Sequence, residues 1–269
     1  MSPAILTVIQ ARVGSSRLPG KVMLALGGGT VLGVMLARVV ESRLRGRIVV
    51  AATTLPEDDA VEAEARRAGV DVFRGHPMDL LDRHREALRR FGGDAVVKIP
   101  SDCPLIDPRV IDSVIARYAV LAGTVDYVSN LHPPTHPDGN DVEVVTAGAL
   151  EIAWREARRG IDREHTTPFL WDHPGKFRLE NVIWDKGPDL SKSHRWVLDY
   201  PEDYQLVRRV HAELEGVRGA DGVCYGMDEI LELLTLHPEI HGLNARWRGD
   251  SWMAREGGEL NQREGVCRS

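Results

Sequence analysis

The chain has 269 residues, 43% hydrophobic and 28% charged, with a net charge of −6. That is enough for one full core, and the acidic total argues against a generic nucleic-acid binder, which needs a basic excess to track phosphates. Cys103, Cys224 and Cys267 are too scattered for a disulfide framework or metal knuckle, and no stretch approaches the ~20 apolar residues that cross a bilayer. With no signal-peptide pattern in MSPAILTVIQAR, a cytoplasmic protein in reducing surroundings is expected.

Residues 5–9 read as a buried first strand. It runs into a loop where Gly14, Ser15, Ser16 and Gly20 stand among Arg12, Arg17 and Lys21. Small residues let backbone N–H groups approach an anion, and the cations neutralise several charges together, a combination suited to a triphosphate. It is not a Walker A loop, because five residues separate the glycines and Val22 stands at the magnesium-binding hydroxyl position. A plain basic surface loop is the competing reading.

Strand-like and helix-like patterns then alternate: a helix over 31–40, a strand over 47–52, a helix over 58–68, a strand over 70–73, a basic amphipathic helix over 79–91, a strand over 94–99 and a helix over 108–121. The alternation predicts an α/β protein with a mostly parallel sheet flanked on both faces by helices, whose ligands sit beyond the carboxyl ends of the strands. From 125 the rhythm changes to a mixed β insertion, with a Pro- and His-rich loop over 131–139, a strand over 141–145 and a helix over 147–158. A further helix is read over 162–171, strands over 177–184 and 195–198, and a helix over 201–214. The expected division is a main domain over 1–215, in which 125–198 forms the second-substrate segment, and a helical appendage over 216–269. The tail from about Arg246 is expected to be loosely packed.

Asp102, in Ser101-Asp102-Cys103-Pro104, follows the fourth strand and is a natural ligand for a hard divalent cation, or else a turn residue; Asp107 before Pro108 suits helix capping better. Asp199 also follows a strand, as a metal ligand or as the N-cap of the next helix. Asp141 and Glu143 share a strand face, and with Arg163, Glu164 and His165 they suit a polyhydroxylated ligand, although surface or helix-start roles explain each of them as well. Cys103 reads as a packing residue. The ten histidines show no zinc spacing.

The blocks QARVGSSRLPGK, ATTLPEDDAV, SDCPLIDP, DYVSN, DVEV, REHTTPF and RWVLDYPEDY, in this order, resemble the family of the spore-coat polysaccharide biosynthesis protein F, within the cytidylyltransferase superfamily. The resemblance spans about residues 5–215. It implies the nucleotide-diphospho-sugar transferase type of Rossmann-like sheet, CTP and an acidic sugar as substrates, Mg2+ as cofactor, a CMP-sugar for surface polysaccharide as product, and a homodimer. It further implies Gln10, Ala11, Arg12, Gly14, Ser15, Arg17, Lys21, Thr54, Ser101 and Asp102 around the nucleotide and Asp102 with Asp199 on the metal. Arg12, Arg17, Lys21, Asp102 and Asp199 would be catalytic. Pro100-Ser101 replaces the usual Thr-Gly, and Asn140 replaces a residue often hydrophobic. The alternatives are a metal-dependent glycosyltransferase, against which the absence of an Asp-x-Asp triplet speaks, and a nucleotidyltransferase using another triphosphate, a sugar phosphate or a cyclitol. No nucleic-acid or membrane partner is expected.

Overall fold

The computed structural model describes residues 3–250. The first strand, β1 (Ile5–Gln10), is central and flanked on both sides by parallel neighbours. A two-stranded hairpin, β2 (Ala25–Leu26) with β3 (Gly29–Thr30), leads into α1 (Val31–Glu41), whose N-cap Thr30 accepts from the Gly33 N–H at 3.0 Å. Then come β4 (Arg47–Thr53), α2 (Asp59–Arg67), β5 (Asp71–Gly75), α3 (Leu80–Phe91), β6 (Ala95–Pro100) and α4 (Pro108–Val120).

The seven-stranded sheet has the order β5-β4-β1-β6-β8-β7-β9, with β7 at Tyr127–Ser129, β8 at Glu143–Thr146 and β9 at Leu179–Asn181. β4 and β5 lie on one side of β1 and β6 on the other, so a topological switch point opens between the carboxyl ends of β1 and β6, where open α/β sheets bind ligands. β8 alone runs antiparallel to its neighbours, so its first residues arrive at the end of the sheet where β1 and β6 finish. Near-continuous apolar strands such as Arg47–Thr53, buried from Ile48 onward, are what a sheet covered on both faces requires.

Helices α5 (Ala147–Glu156), α6 (Gly160–His165), α7 (Pro168–Trp171), α8 (Pro201–Leu214), α9 (Met227–Leu236) and α10 (Pro238–His241) complete the chain. Two cores result. One holds Val49, Leu81, Tyr127 and Leu150; the other holds Ile9, Leu36, Ile99 and Leu206. Tyr225, Met227 and Ile230 join that second core, so the described part of the segment after 216 packs against the main body.

Several local expectations change. The single helix over 162–171 is two short ones, broken at Thr166, which has a φ of 74°. The strand over 177–184 shrinks to β9, and β7 was not foreseen. Residues 195–198 do not enter the sheet. They cross its end as a strap in which the Trp196 and Val197 N–H groups donate to Asp138 O at 2.8 and 3.1 Å and Leu198 N–H donates to Asp102 O at 2.7 Å. The strap lies so close to Gly139 (φ 116°) that a Cβ there would stand 2.7 Å from Val197 N, so the position requires glycine. The tail from Arg246 is ordered as far as it is described. Trp247 stacks on Tyr200 with ring centroids 3.6 Å apart, and Arg195 donates to Asp250 O at 2.7 Å. The remainder of the predicted loose tail, and Cys267, lie outside the described residues.

Candidate active site

The loop after β1 is held at both ends. Gly20 N–H donates to Val13 O at 3.2 Å, with Gly20 in the left-handed region at φ 69°. Val13 N–H donates to the buried Asp58 carboxylate at 2.6 Å. Asp58 also accepts from the Thr53 N–H at 3.1 Å and from the Thr53 hydroxyl, which fixes the loop to the end of β4. Among the described residues the N–H groups of Gly14, Ser15, Ser16 and Arg17 have no intramolecular acceptor, and Arg12 makes no ion pair. Unpaired amides beside an unpaired guanidinium form an anion-binding concavity.

Across from this loop, Ser101 and Asp102 turn at the end of β6, with Ser101 N–H donating to Gln10 O at 3.2 Å. Asp107 caps α4 by accepting the Arg109 N–H at 2.8 Å, which leaves Asp102 directed at the cleft. The N-cap of α8 is Tyr200, and Asp203 accepts the N–H groups of Asp199 and Tyr200 at 3.1 and 3.0 Å. Asp199 is therefore not the N-cap of α8. Its carboxylate meets Arg17 at 2.7 Å and Lys21 at 3.0 Å, while the same Lys21 Nζ donates to Asp102 at 2.9 Å and Leu198 O at 2.9 Å. Two carboxylates that are 97 positions apart in sequence thus converge on one cation beneath the loop.

The electrostatics follow from that arrangement. Burial alone would raise the Asp199 pKa, but the adjacent Lys21 and Arg17 outweigh it and hold the carboxyl well below the usual range. Burial opposes the charge on Lys21, and Asp102 and Asp199 outweigh it, keeping the ammonium protonated. Arg195, with its side chain 1% exposed, is clamped by Asp138 at 2.7 Å, Asp203 at 3.1 Å and Asp199 at 3.4 Å. Asp141 is different: burial and the neighbouring Asp102 push its carboxyl up to about 7.

These groups line one cleft of about 510 Å³, within the range of small-molecule sites. Gln10, Ala11, Arg12, Gly14, Ser15, Arg17 and Lys21 line it from β1 and its loop, and Ser101, Asp102 and Asp199 line it from the opposite wall. Asp141, Glu143, Glu164 and His165 line its other half. Two expected members do not. Thr54 is exposed outside the cleft, because its N–H pairs with Gly75 O at 3.0 Å and turns the chain away. Arg163 fastens α6 to α3, donating to Asp79 at 2.7 Å and to Trp154 O at 2.8 Å. Glu143 reaches the cleft but is buried in an ion pair with Lys98 and accepts the Tyr127 hydroxyl at 2.6 Å.

Several contributors were missed in sequence. From sequence alone Asp58 is only part of a helix, Asp138 and Arg195 are loop and strand residues, and Asp250 is tail. The PEDD following a strand end, and the charged Arg195 in an apolar stretch, were the available signals.

Among the described residues no cluster of three or more His, Cys, Asp or Glu is arranged to hold a metal. Magnesium needs less, one or two protein carboxylates with the remaining positions taken by water and phosphate oxygens. Asp102 and Asp199 are hard oxygen donors already gathered around a positive charge, so the donor set fits such an ion.

A cleft of this charge pattern at a switch point marks a nucleotide-handling α/β protein. A family model described as cytidylyltransferase matches residues 6–225, and the chain belongs to that family. It is 34% identical over 250 residues to an uncharacterized protein of Methanocaldococcus jannaschii, covering 92% of this chain and 97% of that one. It is 28% identical over 242 residues to the spore coat polysaccharide biosynthesis protein SpsF of Bacillus subtilis, covering 87% and 95%. A solved cytidylyltransferase from Leptospira borgpetersenii superposes with a TM-score of 0.79 at 30% identity, covering 88% and 95%. CMP:2-keto-3-deoxy-manno-octonic acid synthetase complexed with CTP superposes with a TM-score of 0.59 at 16% identity over 78% and 99%, a likeness of fold. The Rossmann-like sheet expected from the alternating pattern is the one observed, and no helix of the described residues is long and apolar enough to cross a membrane.

Proposed function

We propose that this chain transfers the cytidylyl group of CTP to a sugar hydroxyl, releasing pyrophosphate and a CMP-sugar for a surface polysaccharide or glycoconjugate. The observation that carries this reading is the convergence of Asp102 and Asp199 on Lys21 under a loop of unpaired amides. In this reading Arg12, Arg17 and Lys21 bind the β- and γ-phosphates and stabilise the charge that develops on departing pyrophosphate. The amides of Gly14, Ser15 and Ser16 cradle the phosphate oxygens. Asp102 and Asp199 would hold Mg2+, which when bound polarises the α-phosphate and lowers the pKa of the attacking hydroxyl. Asp203 and Arg195 orient Asp199, and Asp58 holds the loop in its binding shape. The cleft walls bring the acceptor hydroxyl in line with the α-phosphorus, and positioning supplies much of the rate. The oxygen–phosphorus bond forms as the bond to the bridging oxygen of pyrophosphate breaks, and the hydroxyl proton is released.

Pyrophosphate release from CTP with magnesium and a panel of sugars tests the reading, with GTP, ATP and dTTP run in parallel. Asp102→Ala should lower turnover on the order of a hundredfold. Wild-type turnover in that variant, or sugar transfer from a nucleotide diphospho-sugar with no pyrophosphate formed, would overturn it.

A further inference from the structure

Residues 195–203 carry Asp199 at their centre, and the chain from Gly242 to Asp250 packs along them. Trp247 stacks on Tyr200, and its Nε1–H donates to Glu202 at 3.1 Å. Arg246 is ion-paired with the same Glu202. The Asp250 carbonyl accepts from Arg195 at 2.7 Å, and its carboxylate accepts the Tyr200 hydroxyl at 3.0 Å. Trp247 and Asp250 are partly exposed, whereas Asn244 is fully buried.

The side-chain nitrogen of Asn244 donates both its hydrogens, one to Arg195 O at 3.0 Å and one to the Asp203 carboxylate at 2.8 Å. Both neighbours are acceptors, so the amide has one workable orientation. Each of them leads directly to Asp199. Asp203, itself fully buried, accepts the Asp199 N–H at 3.1 Å and so fixes that residue's backbone. Arg195 extends its guanidinium to Asp199 Oδ2 at 3.4 Å and to Asp203 at 3.1 Å. One amide therefore joins the residue four before Asp199 to the residue four after it. With those two tied, the Asp199 carboxylate is held in place against Arg17 and Lys21. Hydrogen bonds around a ligating carboxylate decide where its oxygens point and how well a metal is held.

On the basis of the nucleotidyl-transfer reading above, we infer that Asn244 is a positioning residue that holds Asp199 in place for the divalent cation. Asn244 does not line the cleft and acts through Arg195 and Asp203. It also lies beyond residue 225, where the match to the family ends, so part of the metal site's support comes from outside the matched stretch. An amide serving the fold alone would, when removed, lower the melting temperature and the fraction of protein able to bind. It would not change how far magnesium tightens nucleotide binding.

The test is calorimetric titration of the full chain with a non-hydrolysable CTP analogue, once with magnesium and once with EDTA. The ratio of the two affinities isolates what the cation adds. Asn244→Leu keeps the branched shape and removes both donors. It should cut the magnesium-dependent gain about tenfold or more, the scale for losing a hydrogen bond around a metal ligand. The affinity in EDTA and the stoichiometry should change little. Trp247→Ala loosens the same segment from a partly exposed position and should lower the gain in the same direction, by less. An undiminished gain in the Asn244→Leu protein overturns the inference, as does an equal loss of affinity with and without magnesium. If that variant does not fold, Trp247→Ala decides by the same criteria. If the unsubstituted protein does not bind the analogue, or binds it no better with magnesium, it is the nucleotidyl-transfer reading that fails.

Discussion

Lys21 Nζ stands 2.9 Å from Asp102 and 3.0 Å from Asp199, so a single ammonium neutralises two carboxylates. A divalent ion directed to those oxygens must compete with it. Lys21→Met should therefore bind Mn2+ more tightly than the unsubstituted protein when no nucleotide is present, by electron paramagnetic resonance titration. Turnover should fall on the order of a hundredfold, because a preorganised charge at the leaving group is lost. An unchanged Mn2+ affinity would place the metal elsewhere.

Arg195 holds three acidic side chains with almost no access to water. Arg195→Met leaves Asp138 and Asp203 without their cation, and breaking a buried pair in this way costs about 3–5 kcal/mol. For a chain of this size the melting temperature should drop by roughly 10 °C. A drop of a degree or two would mean that the carboxylates find other partners.

Asp58 is remote from the reacting atoms but shapes the loop that would hold the triphosphate. Asp58→Ala strands the Val13 N–H, a loss of about 1–3 kcal/mol. The expected signature is a KM for nucleotide raised about tenfold or more with a smaller fall in kcat. A change confined to kcat would move Asp58 from positioning to chemistry.

His84 is fully buried, its Nδ1–H donates to Leu80 O at 2.8 Å, and burial pushes its pKa down to about 3. The unfolded chain has an ordinary histidine near pH 6.5. Between those values the unfolded state binds a proton that the folded state refuses, so this group's stabilisation is complete above about pH 6.5 and declines as the pH falls toward 3. From pH 7 to 5 the unsubstituted protein should lose about 2 kcal/mol more than His84→Phe, read from urea unfolding at each pH. Parallel pH profiles for the two proteins would show that His84 takes up its proton in the fold.

The parallel half of the fold was legible because β1, β4 and β6 are mostly buried apolar runs ended by a turn, and the helices between the strands carry an apolar stripe. The same holds for the phosphate loop, whose glycines, serines and cations are contiguous. What was hidden is non-local. β7 is three residues long and stabilised by its neighbours, and the strap over 195–198 has a strand's composition but fills its hydrogen bonds at Asp138 and Asp102 instead of a ladder. Thr54 follows a strand end as Ser101 does, yet a bond to Gly75 turns it outward, and no local pattern distinguishes the two. Arg163 sits in a block that reads as ligand-binding, while Asp79, 84 positions earlier, captures its guanidinium.

The reversed direction of β8 has an evolutionary corollary. Strands that finish at the cleft present the loop and Asp102, whereas β8 starts there, so Asp141 and Glu143 belong to a separate stretch of chain with its own hydrogen bonds through Asn130 and Asn140. Under the proposed function, acceptor choice can thus diversify by exchange of residues near 130–145 while the loop and Asp102 stay constant, and chimeras between relatives cut at those points should inherit the donor of one parent and the acceptor of the other.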